Sequence, residues 1–442
     1  MMKKFISFLL AAVMLLSLAA CSTQTEKDNK ETSAAESPSS LEEGTGDAGA
    51  VKKISVAHWM LTSSFPSAQA YMENVEAIFK DSYPDVEIEW NPIPSESGKY
   101  HDLLKAQLAT NSAPDVFFHQ NAIVQFGKAD YLTDLSDQEW AGRILESTVT
   151  DVVYEGKLLG IPVDVAGWGV FYNQEVFDTY DLSVPTTFDE LLAVCGTLKE
   201  NGVTPFNMGF KDSWTQDGPW LSMSSFIYGM DKNFPQELYD GTKQINSEEF
   251  TGMFEAFEEL VSNGYISNSI MSTTYDQAAQ EFGEGQVAMQ INGPWCVQQI
   301  YDQCGVDVGY FNIPDREGNV YMTTITNSTV SLNSKFEDKE MGFAMLKALT
   351  DESSLQILLK DSGYCGLKDI EIEQTLAGGK AYGDALVNDK AAMQTNVWIP
   401  ASAGQKLTQL TTLICSGKPF DAAYLEAADD AYQKDKDLLN MQ

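Results

Sequence analysis

Glu281–Ile300 reads EFGEGQVAMQINGPWCVQQI, and this stretch decides how the rest of the chain is organised. Val287, Met289 and Ile291 alternate with Ala288 and Gln290, the period of a half-buried β-strand. Asn292-Gly293 ends that strand. Pro294 suits the first position of a helix, where its missing N–H costs nothing and its φ is already helical, so Trp295 is expected in the first helical turn. A tight turn that shows a large aromatic beside free backbone donors suits a neutral, polyhydroxylated ligand. The ring covers a C–H face while N–H groups and polar side chains take the hydroxyls. The same spacing also fits a core tryptophan that wedges a helix onto a sheet.

Upstream, Thr274 and Gln277 open the helix that leads into this stretch. Phe250, Met253, Phe254, Phe257, Leu260 and Val261 form an amphipathic stripe stopped at Asn263-Gly264, which is core. Thr187 with Glu190 reads as a capping box for a helix carrying Leu191, Leu192, Val194 and Leu198. A strand around Pro205–Met208 is followed by KDSWTQDGPW, Lys211–Trp220, a polar loop holding two tryptophans. Trp220 is expected to be buried. Further back, strand signals end at Trp59, Trp90 and Phe118, separated by helical spacing from Ala68 to Phe79 and from Tyr100 to Leu108. Strand and helix in alternation imply crossover connections and a parallel sheet. Ligands then sit beyond the carboxyl ends of the strands, which singles out Trp59, His119, Gln120 and Asn121. VVYEGKLLGIPV, Val152–Val163, reads as a hairpin turning at Glu155-Gly156.

A strand closing in Asn292-Gly293-Pro294-Trp295 after a helix closing in Phe-Gly-Glu-Gly, with Tyr154-x-Gly-Lys-Leu158 followed by Pro162, resembles the extracellular solute-binding proteins of sugar ABC transporters, the maltose-binding-protein-like group. The resemblance implies an α/β, two-lobed periplasmic-binding-protein-like fold, each lobe a sheet flanked by helices, with three interlobe crossovers. These fall near Pro162–Gly167, Asp307–Pro314 and Ser362–Gly366. Residues 51–163 and 311–362 would form the N-terminal lobe, and 164–310 and 363–442 the C-terminal lobe.

The resemblance further implies that Trp295 stacks on a sugar, with Trp214 as a second platform ring and Trp398, in the loop 394–401, as one more contact. Asp164 and Trp168 fall beside the first crossover, where a carboxylate accepts hydroxyls through charge-assisted bonds. An ion pair for Asp164 and a core position for Trp168 are the alternatives. Asn327 is placed at the cleft rim, joining Trp59, His119 and Asn121. Trp168, Trp214, Trp295 and Trp398 are too many aromatics for a single monosaccharide, so the expected ligand is an oligosaccharide of a few units. Leu61–Ser67 lacks charged hydroxyl acceptors, which sets the chain apart from maltose-specific members. Lobes joined by strands close about a hinge, with a Kd near micromolar, about −8 kcal/mol.

The expected role is that of a binding component without catalytic residues, cofactor or metal, delivering its ligand to ABC transporter permease subunits. Transport energy would come from a separate ATPase, since the chain has no P-loop. A cell-surface glycan-active hydrolase and a static lectin are the rival readings. No acid pair with a supporting motif marks the strand ends, as glycoside hydrolysis would need.

Lys3 and Lys4 precede an apolar run, Phe5–Ala20, too short for a spanning helix, that closes in Leu18-Ala19-Ala20-Cys21. This is a lipobox. Residues 1–20 read as a lipoprotein signal peptide and Cys21 as the lipidated residue, anchoring the chain at the outer face of the cell membrane. Residues 21–50, nearly devoid of apolar side chains, read as a flexible tether. A formal charge of −36 argues against nucleic acid and against lying flat on anionic lipid. Membrane contact is therefore expected through lipid only, and the protein is expected to be a monomer. Five cysteines remain besides Cys21, and only Cys296 and Cys304 are near enough in sequence for a local disulfide.

Overall fold

The computed structural model describes residues 52–59, 67–92, 97–120, 122–145, 148–393, 395–439 and 441; the expected signal peptide, the expected tether with Cys21, and Asn121 lie outside them. In chain order the strands are Lys53–His58 (β1), Glu87–Pro92 (β2), Val116–His119 (β3), Val153–Tyr154 (β4), Lys157–Leu158 (β5), Ile161–Ala166 (β6), Gly169–Asn173 (β7), Thr204–Phe206 (β8), Val287–Asn292 (β9), Val308–Phe311 (β10), Tyr321–Leu332 (β11), Tyr364–Cys365 (β12) and Lys390–Met393 (β13). Helices lie between most of them, which makes this an α/β protein.

β2, β1 and β3 run parallel, as the strand-helix alternation requires. β11 then pairs antiparallel with β3 and with β6, giving a sheet ordered β12-β6-β11-β3-β1-β2, with β13 pairing the first residues of β11. The helix Ala68–Ser82 covers this sheet with Ala68, Tyr71, Val75 and Phe79, spaced to fall on one face. A second sheet has the order β10-β7-β9-β8. Its core takes the stripe of the helix Glu248–Ser262, with Phe250, Met253, Phe254, Phe257 and Leu260 all buried. Each such side chain contributes about 1.5–3 kcal/mol of burial free energy. The C-terminal helices Ala401–Cys415 and Ala423–Asp435 add Leu407, Leu410, Ile414 and Leu425 to the same core.

The chain passes between sheets where β6 ends at Ala166 and β7 begins at Gly169, through Gly167 and Trp168. Gly167 lies so close to β11 that a Cβ there would run into the carbonyl of Thr323. The return passage joins β10 to β11, and β12 lies antiparallel to β6, opposite Asp164 and Val165.

Local chemistry follows the sequence with instructive exceptions. The hairpin β4–β5 turns at Glu155 and Gly156 with φ of 49° and 74°, the paired left-handed residues of a type I′ turn. Thr274 and Gln277 form a complete capping box. At Thr187 only half of the box forms: its hydroxyl accepts from Glu190 N, but the Glu190 carboxylate turns to the Thr186 N–H and hydroxyl, each at 2.7 Å. β9 is buried on both faces rather than one, because its side chains enter two separate core clusters, Val287 in one and Ala288, Met289 and Ile291 in the other. Trp295 has helical φ and ψ but precedes the helix, which begins at Cys296. Cys296 and Cys304 stay free thiols. Eight residues apart on one helix, they lie about 12 Å apart along its axis, beyond disulfide reach.

Candidate functional site

The turn after β9 is held by its own asparagine. Asn292 Oδ1 accepts from Gly293 N at 2.9 Å, while its amide nitrogen points at Gln290 Oε1 and the Tyr275 hydroxyl, 3.4 and 3.5 Å away. The Trp295 indole folds back over Gly293, where any Cβ would strike the ring. Gly293 is thus required by close approach, not by its backbone angles.

Two further rings meet Trp295, and a third meets one of those. Trp168, emerging from the first crossover, lies 5.5 Å away between ring centroids and at 85°; Trp214, in the 3-10 turn Ser213–Asp217, lies 6.1 Å away at 62°. Trp168 and Trp214 are 5.8 Å apart, and Tyr275 closes on Trp214 at 4.8 Å. Gly218 leaves room for the Trp168 ring. Asp212 Oδ2 accepts from Tyr275 N at 2.7 Å and so ties the loop of Trp214 to the helix Tyr275–Gly283. Burial pushes the Tyr275 hydroxyl well above the usual range, so it stays a neutral donor. Trp168 is buried, whereas Trp214, Trp295 and Tyr275 are only half-buried. Rings crossed at such angles, with parts of Trp214, Trp295 and Tyr275 accessible, form a corner that can accept C–H faces.

A polar group is set on the first sheet. Trp59 follows β1 and lies against Tyr100 and His101, at 5.5 and 6.2 Å. His101 Nε2 accepts the backbone N–H of Gln120, at the end of β3, at 2.9 Å. β11 carries a bulge: Thr326 pairs with Val165 and Ser328 with Asp164, leaving Asn327 unpaired between them. Asn327 Nδ2 donates to Asp164 Oδ2 at 3.0 Å, and its Oδ1 accepts from Gln120 Nε2 at 2.9 Å. The Ser328 hydroxyl donates to Asp164 Oδ1. A bulge that re-aims one side chain beside a site is a recurrent use of that irregularity.

Several sequence candidates stand elsewhere. Asp164 is buried, with Ser328 and Asn327 donating to its two oxygens, so it lies behind Asn327 instead of offering a bare carboxylate to hydroxyls; burial raises its pKa. His119 turns into the core between Phe117 and Phe126, paired with the Ser331 hydroxyl at 3.0 Å, and burial lowers its pKa to about 3. Strand alternation puts His119 on the face of Phe117, and both faces of β3 are covered by core. Trp398 has no exposed surface and is enclosed by Tyr228, Phe234 and Phe250, its indole N–H donating to the Tyr228 hydroxyl at 2.9 Å. It takes no part in the ring corner. Trp220 is buried as its position near a helix implied. Asn121 is outside the described residues.

The sequence reading passed over Tyr275 and His101. Tyr275 directly follows the capping threonine of the helix that feeds β9, an aromatic placed to lean on the Trp295 turn; that adjacency was the available signal. His101 is one of only three histidines and sits on a helix whose apolar spacing drew attention away from it. Among the described residues no group of His, Cys, Asp and Glu gathers as a metal site, and no helix is long and apolar enough to cross a membrane. A polar hollow of about 350 Å³ lined by Ser272, Gln277, Glu281 and Gln286 has no aromatic wall, so the ring corner is the better candidate for a ligand with apolar faces.

Comparison with known proteins agrees with this architecture. An uncharacterised ABC transporter extracellular-binding protein of Pyrococcus horikoshii is 25% identical over 254 residues, 55% of this chain and 56% of that protein. The melibiose/raffinose/stachyose-binding protein MelE of Bacillus subtilis is 23% identical over 247 residues, 54% of this chain and 56% of its own length. The chain thus spans little more than half the length of these relatives. A chitin oligosaccharide binding protein of known structure superposes with a TM-score of 0.76 at 22% identity, covering 89% of this chain and all of that one, which establishes the shared two-lobed fold. Residues 75–368 match the family described as bacterial extracellular solute-binding protein, and the chain belongs to that family.

Proposed function

We propose that this protein is the substrate-binding component of an ABC importer, capturing an oligosaccharide in the cleft between its lobes and delivering it to permease subunits. The observation that carries the reading is the corner of Trp168, Trp214, Trp295 and Tyr275, gathered from four separate segments around one turn. Trp214 and Trp295 take sugar ring faces, with Trp168 as their backing. Gln120, Asn327 and Trp59 serve the hydroxyls and rim from the other lobe. The part of the chain built on the first sheet, which keeps β6 to Ala166 and β12 at Tyr364–Cys365 and so runs past the expected bounds at 163 and 362, acts as one lobe against the part built on the second sheet. MelE and the chitin oligosaccharide binding protein bear names that concern sugars of more than one ring, which supports an oligosaccharide over a monosaccharide.

The protein acts without turnover, as a monomer held to the outer face of the membrane by lipid on Cys21. Labelling with a fatty acid tests the anchor: the label should enter the native chain and be lost in Cys21→Ser, which should escape into the medium.

Calorimetry against raffinose, stachyose and oligosaccharides of chitin and xylan tests the binding reading. At least one sugar should bind with a Kd near micromolar. Heat from amino acids, peptides or metal ions alone would overturn it, and steady release of new reducing ends would turn it towards a hydrolase.

A further inference from the structure

The polar row on the first sheet has a direction. Both oxygens of Asp164 accept, Oδ1 from the Ser328 hydroxyl and Oδ2 from Asn327 Nδ2 at 3.0 Å, so the side of the Asn327 carboxamide facing Asp164 is its NH2. The Asn327 carbonyl then faces away and takes the Gln120 amide nitrogen at 2.9 Å. Gln120 is left with its carbonyl as the unengaged end, for Oε1 accepts no hydrogen bond among the described residues. Flipping Asn327 would set its carbonyl against the Asp164 oxygen and N–H against N–H, and flipping Gln120 would set carbonyl against carbonyl. Each amide thus fixes the next.

The surroundings hold both ends of this row. Asp164 is fixed from β11 by Ser328 and flanked by β12 through its pairing with Cys365. Gln120 is held through its backbone by His101. Asn327 stands in the bulge, free of the ladder that orients its neighbours, so its side chain takes its orientation from hydrogen bonds. Asn327 and Gln120 are half-buried while Asp164 is not accessible. The carboxyl group is hidden, and its effect emerges two side chains away.

We propose that Asp164 is a positioning residue whose carboxylate sets the polarity of Asn327 and Gln120, so that the site offers a carbonyl acceptor to a hydroxyl or amide N–H of the ligand. The inference rests on the sugar-binding reading for its ligand, but the row itself exists without one. It assigns the specificity of this wall to a neutral acceptor, in place of a charge in contact with the sugar. Ligands that present a donor there are favoured over those that present only an acceptor, such as a ring or ether oxygen.

The test pairs two measurements on the full folded chain. In the ligand-free protein, nitrogen-15 NMR follows the Gln120 side-chain NH2. Asp164→Asn should shift or broaden that resonance although the two residues do not touch, and Asn327→Ala should do the same from the exposed side should Asp164→Asn fold poorly. Calorimetry then uses whichever of raffinose, stachyose, chitin and xylan oligosaccharides binds the native chain. Asp164→Asn and Gln120→Ala should each weaken binding about tenfold, and the double variant no more than the weaker single. An unmoved Gln120 resonance, binding within twofold of native, or losses that multiply would overturn the proposal. If the native chain binds none of these sugars, the functional reading fails, and the NMR result still decides the row.

Discussion

Trp295 and Trp398 both pack on the core of the second sheet amid other aromatic rings, yet Trp295 keeps part of its indole in solvent and Trp398 keeps none. The difference lies in what each N–H and ring edge is given. Trp398 is surrounded by Tyr228, Phe234 and Phe250 and has its N–H taken by a tyrosine hydroxyl, so nothing remains for a ligand. Trp295 leans on Trp168 and Trp214, folded over a glycine turn that leaves part of its ring uncovered. A tryptophan in a polar stretch can therefore be either a wall or a rivet. Its neighbours in space decide which.

Mutation should separate the two sharply. Trp398→Ala should cost about 3–5 kcal/mol of stability, the range for emptying a large aromatic site, in denaturant unfolding, while sugar affinity of the surviving folded fraction stays the same. An affinity loss without loss of stability would return Trp398 to the site.

The loop of Trp214 tests the comparison from another side, because it is pinned to the C-terminal helices through Asp217, which accepts the Thr408 hydroxyl; that hydroxyl in turn takes the Trp220 N–H at 3.2 Å. Burial pushes the Asp217 carboxyl up to about 6. Since this lies above the value in an unfolded chain, the protonated form favours folding: the stabilisation is complete below about pH 4 and is lost as pH rises through 6. Over that window the term amounts to about 3 kcal/mol. Asp217→Asn should therefore raise the melting temperature at pH 8 and flatten its fall between pH 4 and 7. A steeper fall would refute the assignment.

Trp295→Ala should weaken sugar binding at least tenfold, about 1.4 kcal/mol, with a melting temperature close to native; a large drop in stability with affinity intact would make it a second Trp398. The smallest effect is expected at Thr274→Ala, which breaks the capping box beside Tyr275 at a cost of about 1 kcal/mol and should lower affinity only slightly.

Much of the fold was legible because periodicity and turn chemistry are local. The β4–β5 hairpin, the Thr274 cap and the Phe250–Leu260 stripe carry their signals within a few residues, and the parallel β2-β1-β3 arrangement follows from element order. The lobed architecture and the importance of Trp295 came by resemblance. The site was less legible, since its geometry is made across the chain. His119 and Gln120 are adjacent, yet one enters the core and the other the rim; strand phase separates them, and a four-residue strand is too short to reveal its phase. Asp164 was expected to offer its carboxylate to hydroxyls, whereas in the fold Asn327 and Ser328 donate to it; the bulge that brings Asn327 in front of it arises from the pairing of β6 with β11, which no local pattern encodes. Trp398 looked like a loop residue for want of any sign of Phe234 and Phe250, more than 140 positions away.

The contact of Gly167 with the Thr323 carbonyl has one more implication. Main chain rests there directly on main chain, so even alanine would act as a shim between the two sheets. Selectivity for one sugar or another can be altered by exchanging rings and amides around the cleft. In the proposed closure this passage has no such latitude, and Gly167→Ala should hinder the closing movement, seen as a radius of gyration that no longer changes on saturation with sugar.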